Sequence, residues 1–143
     1  PLEENDTIKT SELLEIPQVL NIGQQQLLPK VITANENLID LHKIYPNIKL
    51  KDAAYLFGTI EAPQDGKVTL GFGADWWMQI WIDGELLCDT TSRGNVNWPP
   101  APTDYLFQTD LKKGKHLLTI KLISGSGGAK ITFAGPEQLR KIK

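Results

Sequence analysis

The sequence predicts an all-β chain: a single β-sandwich or jelly roll of about 8–10 strands, with short helical turns at the termini. Three observations predict it. Short segments alternate apolar and polar residues with period two, turn residues separate them at regular spacing, and helical periodicity is almost absent between the two ends. At 143 residues the chain suits one domain with a proper core rather than two.

The expected organisation runs in three parts. Residues 1–15 form an N-terminal segment in which "SELLEI" suits a short helix behind a Ser11 cap. Residues 16–135 form the sandwich, and 136–143 a short C-terminal helix or tail. Within the sandwich, "PQVLNI", "QQLLPKVI" and "NLIDLH" read as short strands. "AYLFGTIEA" (residues 54–62) is a longer one, ended by the turn "PQDG".

In "KVTLGFG", Val68, Leu70 and Phe72 share one face, while Lys67, Thr69 and Gly71 share the other, the mark of a half-buried strand. "WMQIWI" alternates again and meets Asp83-Gly84, a strong hairpin signal, with "ELLCDT" as the return strand. "DYLFQTDL", the turn "KKGK", "HLLTIKLI", the glycine-rich turn "SGSGG" and "AKITFAG" complete the series. Pro136 suits a first helical position, with Glu137 early and basic residues late in the final segment.

Strand parity divides "DWWMQIWID" into two faces. Trp76, Met78, Ile80 and Ile82 are wholly apolar and should point between the sheets; burying a large aromatic stabilises by roughly 1.5–3 kcal/mol. Trp77, Gln79, Trp81 and Asp83 mix indoles with polar groups, and Tyr55, Phe57 and Thr59 extend such a surface. This face is either an aromatic platform for a ligand or a surface covered by residues 16–50. A pyranose offers an apolar C–H face to an indole and hydroxyls to amides and carboxylates, so a platform of this kind suits a saccharide.

The second candidate is the connection "TTSRGNVNWPPAPTDY", long for a hairpin and so a place to expect function. Arg93, Asn95, Asn97, Asp104 and Tyr105 supply directional hydrogen bonds, and Trp98 supplies a stacking surface. Pro99, Pro100 and Pro102 stiffen it and lower the ordering cost of binding. The structural alternative is that Trp98 pins the loop and Asn95 satisfies turn backbone.

The stretch "GFGADWWMQIWIDGELLCDT", followed by "LKKGKHLLTIKLISGSGGAKITF", resembles galactose-binding-like jelly-roll modules of the carbohydrate-binding type. The "WIDG" hairpin also looks like that of PA14-type β-barrels. The resemblance covers about residues 54–134. It implies an accessory module attached to a glycoside hydrolase or esterase, in a bacterial, secreted, periplasmic or cell-surface setting. Ligands of such modules sit in loops at one end of the sandwich, where this long loop is expected, and related modules often carry a structural calcium.

Catalytic motifs are missing. Cys88 stands alone and allows no internal disulfide. His116 shares a strand face with Leu118, Ile120 and Leu122 and reads as a partly buried structural residue, while Ser126 lacks a nucleophile-elbow context. The oxygen-bearing residues lack EF-hand spacing, and two histidines with one cysteine are too few for zinc. No enzyme activity, cofactor or metal is therefore expected. The net charge of −2, without a basic stripe, disfavours nucleic acid, and no apolar run approaches the ~20 residues needed to cross a bilayer. A start at Pro1 without a methionine or leader suggests a piece of a longer chain.

The expected function is weak binding of an oligo- or polysaccharide, with a dissociation constant on the order of 10 μM to 1 mM, beside a catalytic domain in the same parent chain. The expected contacts are Trp98, Asn95, Asn97, Arg93, Asp104, Tyr105, Trp81, Trp77 and Gln79. The alternative is an architectural or protein-interaction sandwich, with Trp77 and Trp81 at the contact.

Overall fold

A computed structural model describes residues 20–22, 25–27, 38–126, 128–136 and 139. The described residues are all-β, as the alternation predicts: nine strands, with helical residues confined to a turn after β3 and to Pro136 and Leu139. Strands β1 (Leu20–Ile22) and β2 (Gln25–Leu27) form a small antiparallel hairpin. The remaining strands form one curled antiparallel sheet: β3 (Leu38–Asp40), β4 (Ala53–Ala62), β5 (Gly66–Ile82), β6 (Glu85–Asp89), β7 (Tyr105–Leu111), β8 (Gly114–Ser124) and β9 (Lys130–Ala134).

The 17-residue β5 organises this sheet. Its first half pairs with β7 through residues 66–72 and with β9 through residues 71–75. Its second half pairs with β8 through residues 76–82 and with β6 through residues 79–82. One arm therefore runs β3–β9–β5–β7 and the other β6–β5–β8–β4, with β5 common to both. The chain crosses between the arms after β4, after β7 and after β8: β4 and β8 belong to one arm, and β7, β9 and the first half of β5 to the other.

From Leu70 to Ile82 the even-numbered side chains of β5 point inward, with Trp76 as the exception. Leu70, Phe72, Ala74, Met78, Ile80 and Ile82 join Leu111, Ile120, Leu122 and Ile131 in one apolar cluster. Trp76, expected in that core, is only half-buried. It sits where β5 passes from one arm to the other, at the edge of a cleft. Gly71, expected on a half-exposed face, is buried. A β-carbon there would stand 2.1 Å from the Pro102 carbonyl oxygen, and one at Gly73 2.2 Å from that of Ala101. Glycine at both positions lets the long loop lie directly on the strand.

The segment "NLIDLH" divides into β3 and a helical turn, α1 (Leu41–Ile44), because the Asp40 side chain accepts from the His42 amide and caps the turn. Pro136 and Leu139 are helical. The expected segment over residues 1–15 and most of the expected C-terminal helix lie outside the described residues. Asp83 (φ 50°) and Gly84 (φ 80°) both take positive φ, as the β5–β6 reversal requires.

Candidate functional site

The long loop from Thr90 to Asp104 lies against an open edge of β5 between its two partners. β7 pairs no further than Phe72, and β6 reaches only to Gln79. Side chains of the loop close this gap. The Ala74 amide donates to Asn95 Oδ1 (3.3 Å) and the Met78 amide to Thr90 Oγ1 (2.9 Å). Both residues are buried, and without them two strand amides would lack partners.

Asp104 then organises the loop. Its carboxylate accepts from Asn95 Nδ2 (2.6 Å), Asn97 Nδ2 (2.8 Å) and the Ala101 amide (2.8 Å), while Asn95 also donates to the Asn97 carbonyl (2.8 Å). Tyr105 donates its hydroxyl to the Gly94 carbonyl (2.8 Å), and the Arg93 guanidinium lies 6.0 Å over the Tyr105 ring. The loop residues chosen for directional hydrogen bonding therefore bond largely to one another. Their geometry fixes the loop's shape.

That shape presents Trp98. Its side chain is 63% exposed, yet its Nε1 donates to Asp75 Oδ2 at 3.2 Å. The Asp75–Trp76 and Trp98–Pro99 peptides are both cis. Asp75, Trp76, Trp77 and Trp98, together with Leu50, Gly125 and Ser126, line a cleft of about 540 Å³. Asp75 forms part of this lining although only 1% of its surface is exposed. Gly125 makes room for it: a β-carbon there would lie 2.7 Å from Asp75 Oδ1 and 2.6 Å from the Trp76 β-carbon. Gly94 does the same for the Trp76 ring, since its β-carbon would fall 1.9 Å from the indole nitrogen.

Of the nine residues expected from sequence, Trp98 and Trp77 meet in this cleft. Arg93, Asn95, Asn97, Asp104 and Tyr105 lie in and behind the loop that carries Trp98. Gln79 and Trp81 lie farther along the outer face of β5. There they align across β8 with Tyr55 and Phe57: Gln79–Lys121–Tyr55 form one row and Trp81–Thr119–Phe57 the next. Gln79 Nε2 donates to Asp89 Oδ2 (3.0 Å), and the Lys121 ammonium lies 5.7 Å over the Tyr55 ring. Burial alone would raise the Asp89 carboxyl, but hydrogen bonds from Thr91 and Gln79 and the Lys121 charge outweigh it and hold the group below the usual carboxylate range.

Sequence reasoning missed Asp75, Leu50 and the glycines beneath the cleft. Parity held one signal, since Asp75 falls on the same side of β5 as Trp77. Among the described residues no group of three or more His, Cys, Asp or Glu side chains is arranged to hold a metal ion. Cys88 is buried, and that burial, with the neighbouring Asp89 charge, pushes its thiol up to about 11 against a smaller opposing effect of Arg93, so it is a poor nucleophile.

No family model matches the chain, and no curated protein does. Among solved structures, it is similar to a β-glucosidase from Kluyveromyces marxianus in complex with glucose, with TM-score 0.52 and 17% identity over 73% of this chain and 14% of that one. A second structure of that β-glucosidase gives TM-score 0.50 and 16% identity over 62% of this chain and 12% of that one. A GH31 α-xylosidase from Xanthomonas citri matches with TM-score 0.48 and 23% identity, over 66% of this chain and 10% of that one. The likeness to the β-glucosidase is one of fold. It falls on a small part of a glycoside hydrolase, the size of an accessory domain within a far longer chain.

Proposed function

We propose that this domain is a non-catalytic carbohydrate-binding accessory module of a larger carbohydrate-active protein, a glycoside hydrolase or esterase of bacterial origin acting outside the cytoplasm. One observation carries the reading: the exposed indole of Trp98 is held at the mouth of a cleft by a buried carboxylate, beside Trp76 and Trp77. An indole fixed in this way loses little entropy when a sugar ring stacks on it. Asp75 offers hydroxyl groups an acceptor, and the Asn95–Asn97–Asp104 network keeps the loop in its binding shape. The glycoside hydrolase setting of the similar folds supports the assignment.

Titration calorimetry against a panel of soluble oligosaccharides tests it. The expected result is binding on the order of 10 μM to 1 mM, lost in Trp98→Ala. A panel without any binder, or a Trp98→Ala variant that binds as well as the parent, rejects the proposal.

The second reading, an architectural or interaction domain, is favoured by the outer face of the β6–β5–β8–β4 arm. Leu86, 52% exposed, stands opposite Trp81 there, and Phe57 continues the row. Light scattering over a concentration series separates the two: a dimer whose formation buries Trp81 supports the interface, and a monomer with sugar affinity supports the module.

A further inference from the structure

We propose that the Asp75 cleft selects a saccharide bearing a protonated amine, a 2-amino-2-deoxy sugar, over its neutral and N-acetylated counterparts. This rests on the sugar-binding reading and adds to it the class of sugar. Asp75 is 1% exposed, and its carboxylate receives a single hydrogen bond, from Trp98 Nε1 to Oδ2. Oδ1 has no hydrogen-bond partner among the described residues, and no cationic side chain among them lies within 4.0 Å of either oxygen. Oδ1 is thus an open carboxylate acceptor on the cleft wall, where a cation would form a charge-assisted hydrogen bond.

The walls suit the same ligand. Trp76, Trp77 and Trp98 border the carboxylate, and indole faces attract ammonium groups. Trp77 already does so within the chain: the Lys51 ammonium lies 5.9 Å over its ring. A sugar amine donating to Asp75 Oδ1 would find a charge-assisted acceptor and aromatic surface together, while a hydroxyl would make a weaker bond at the same place. An acetamide has no charge and adds bulk beside Oδ1, where even a β-carbon on Gly125 would not fit. An anionic sugar would meet like charge.

Titration calorimetry with three β-1,4-linked tetrasaccharides, carrying at C2 an amine, an acetamide or a hydroxyl, tests the proposal. The free-amine form is expected to bind about ten-fold or more tighter than the hydroxyl form, the scale of one charge-assisted hydrogen bond over a neutral one. Asp75→Asn, which keeps shape and removes charge, should abolish the preference, so that the amine and hydroxyl forms bind alike at whatever affinity remains. Lys51 has φ 69°, a conformation asparagine tolerates, so Lys51→Asn should fold normally. By removing a competing charge it should tighten the free-amine form and leave the hydroxyl form unchanged. Equal or tighter binding of the hydroxyl form to the parent protein, or an unchanged affinity in Lys51→Asn, overturns the amine preference and leaves the sugar reading standing. Failure of all three tetrasaccharides, together with the wider panel, removes both.

Discussion

Asp83 and His116 lock the β5–β6 turn to the first residues of β8. Asp83 Oδ2 lies 2.6 Å from His116 Nδ1, and Oδ1 accepts from the Leu117 amide at 2.8 Å. The other ring nitrogen, Nε2, lies 2.6 Å from the Lys112 carbonyl oxygen. A carboxylate and a carbonyl both accept, so only the doubly protonated ring can donate to both. The hydrogen bond to Asp83 is the main reason the imidazole holds its proton above its ordinary range, with the Lys112 carbonyl next.

A group whose folded pKa is raised stabilises the fold fully below its unfolded pKa, about 6.5 for histidine. The stabilisation is lost as pH rises through the higher folded value. Urea denaturation from pH 5 to pH 9 should therefore show stability falling across that upper window. Asp83→Asn keeps a residue that accepts positive φ and removes the charge, so its slope should flatten. An unchanged slope would show that His116 is not the titrating group.

The loop network makes a separate prediction. Asp104 satisfies three donors, and one of them, the Asn95 amide, belongs to a buried residue. Asp104→Ala leaves that donor without its closest acceptor and should destabilise the protein by about 1–3 kcal/mol. Sugar affinity should fall with it through loss of Trp98 positioning. Stability unaltered beside lost affinity would instead mark Asp104 as a direct ligand contact.

Glycine positions give a matched pair. Gly94 has φ 79°, and its β-carbon would overlap the Trp76 indole, whereas Gly58 has open space around it. Gly94→Ala should cost about 3 kcal/mol or more, from backbone conformation and overlap together. Gly58→Ala should be neutral or stabilise by about 0.4–1 kcal/mol by restricting the unfolded chain. Thermal melts of the two variants check the contrast.

These residues also show what a linear pattern conveys. Asp83-Gly84 announced its hairpin because local backbone chemistry determines that turn, and the inward parity of Met78, Ile80 and Ile82 follows from strand geometry alone. The same alternation could not reveal that residues 66–82 are one strand serving two arms, since period two reports a face and not a partner. Asn95 read equally as ligand contact or loop support because its partner, the Ala74 amide, lies 21 residues away. Asp75 gave even less sign. A lone aspartate before tryptophans gains meaning only when the loop returns Trp98 to it.

Cys88 offers the last test, of core integrity. It faces inward opposite Ile80 on β6 and is 6% exposed. With its thiol raised to about 11, the reactive thiolate is roughly 10⁻⁴ of the population at neutral pH, against a few per cent for an ordinary cysteine. Burial also denies a bulky disulfide reagent the in-line approach it needs. Native protein should therefore resist an aromatic disulfide reagent for as long as the fold persists, and labelling should track the unfolded fraction as urea is added. Cys88→Ala would leave a small void beneath β6 and should lower the urea midpoint without altering sugar binding, because the residue lies outside the cleft. Rapid labelling of the native protein would mean that β6 opens readily from the edge of β5, and the loop that begins at Thr90 would then lack the rigid anchor on which the placement of Trp98 depends.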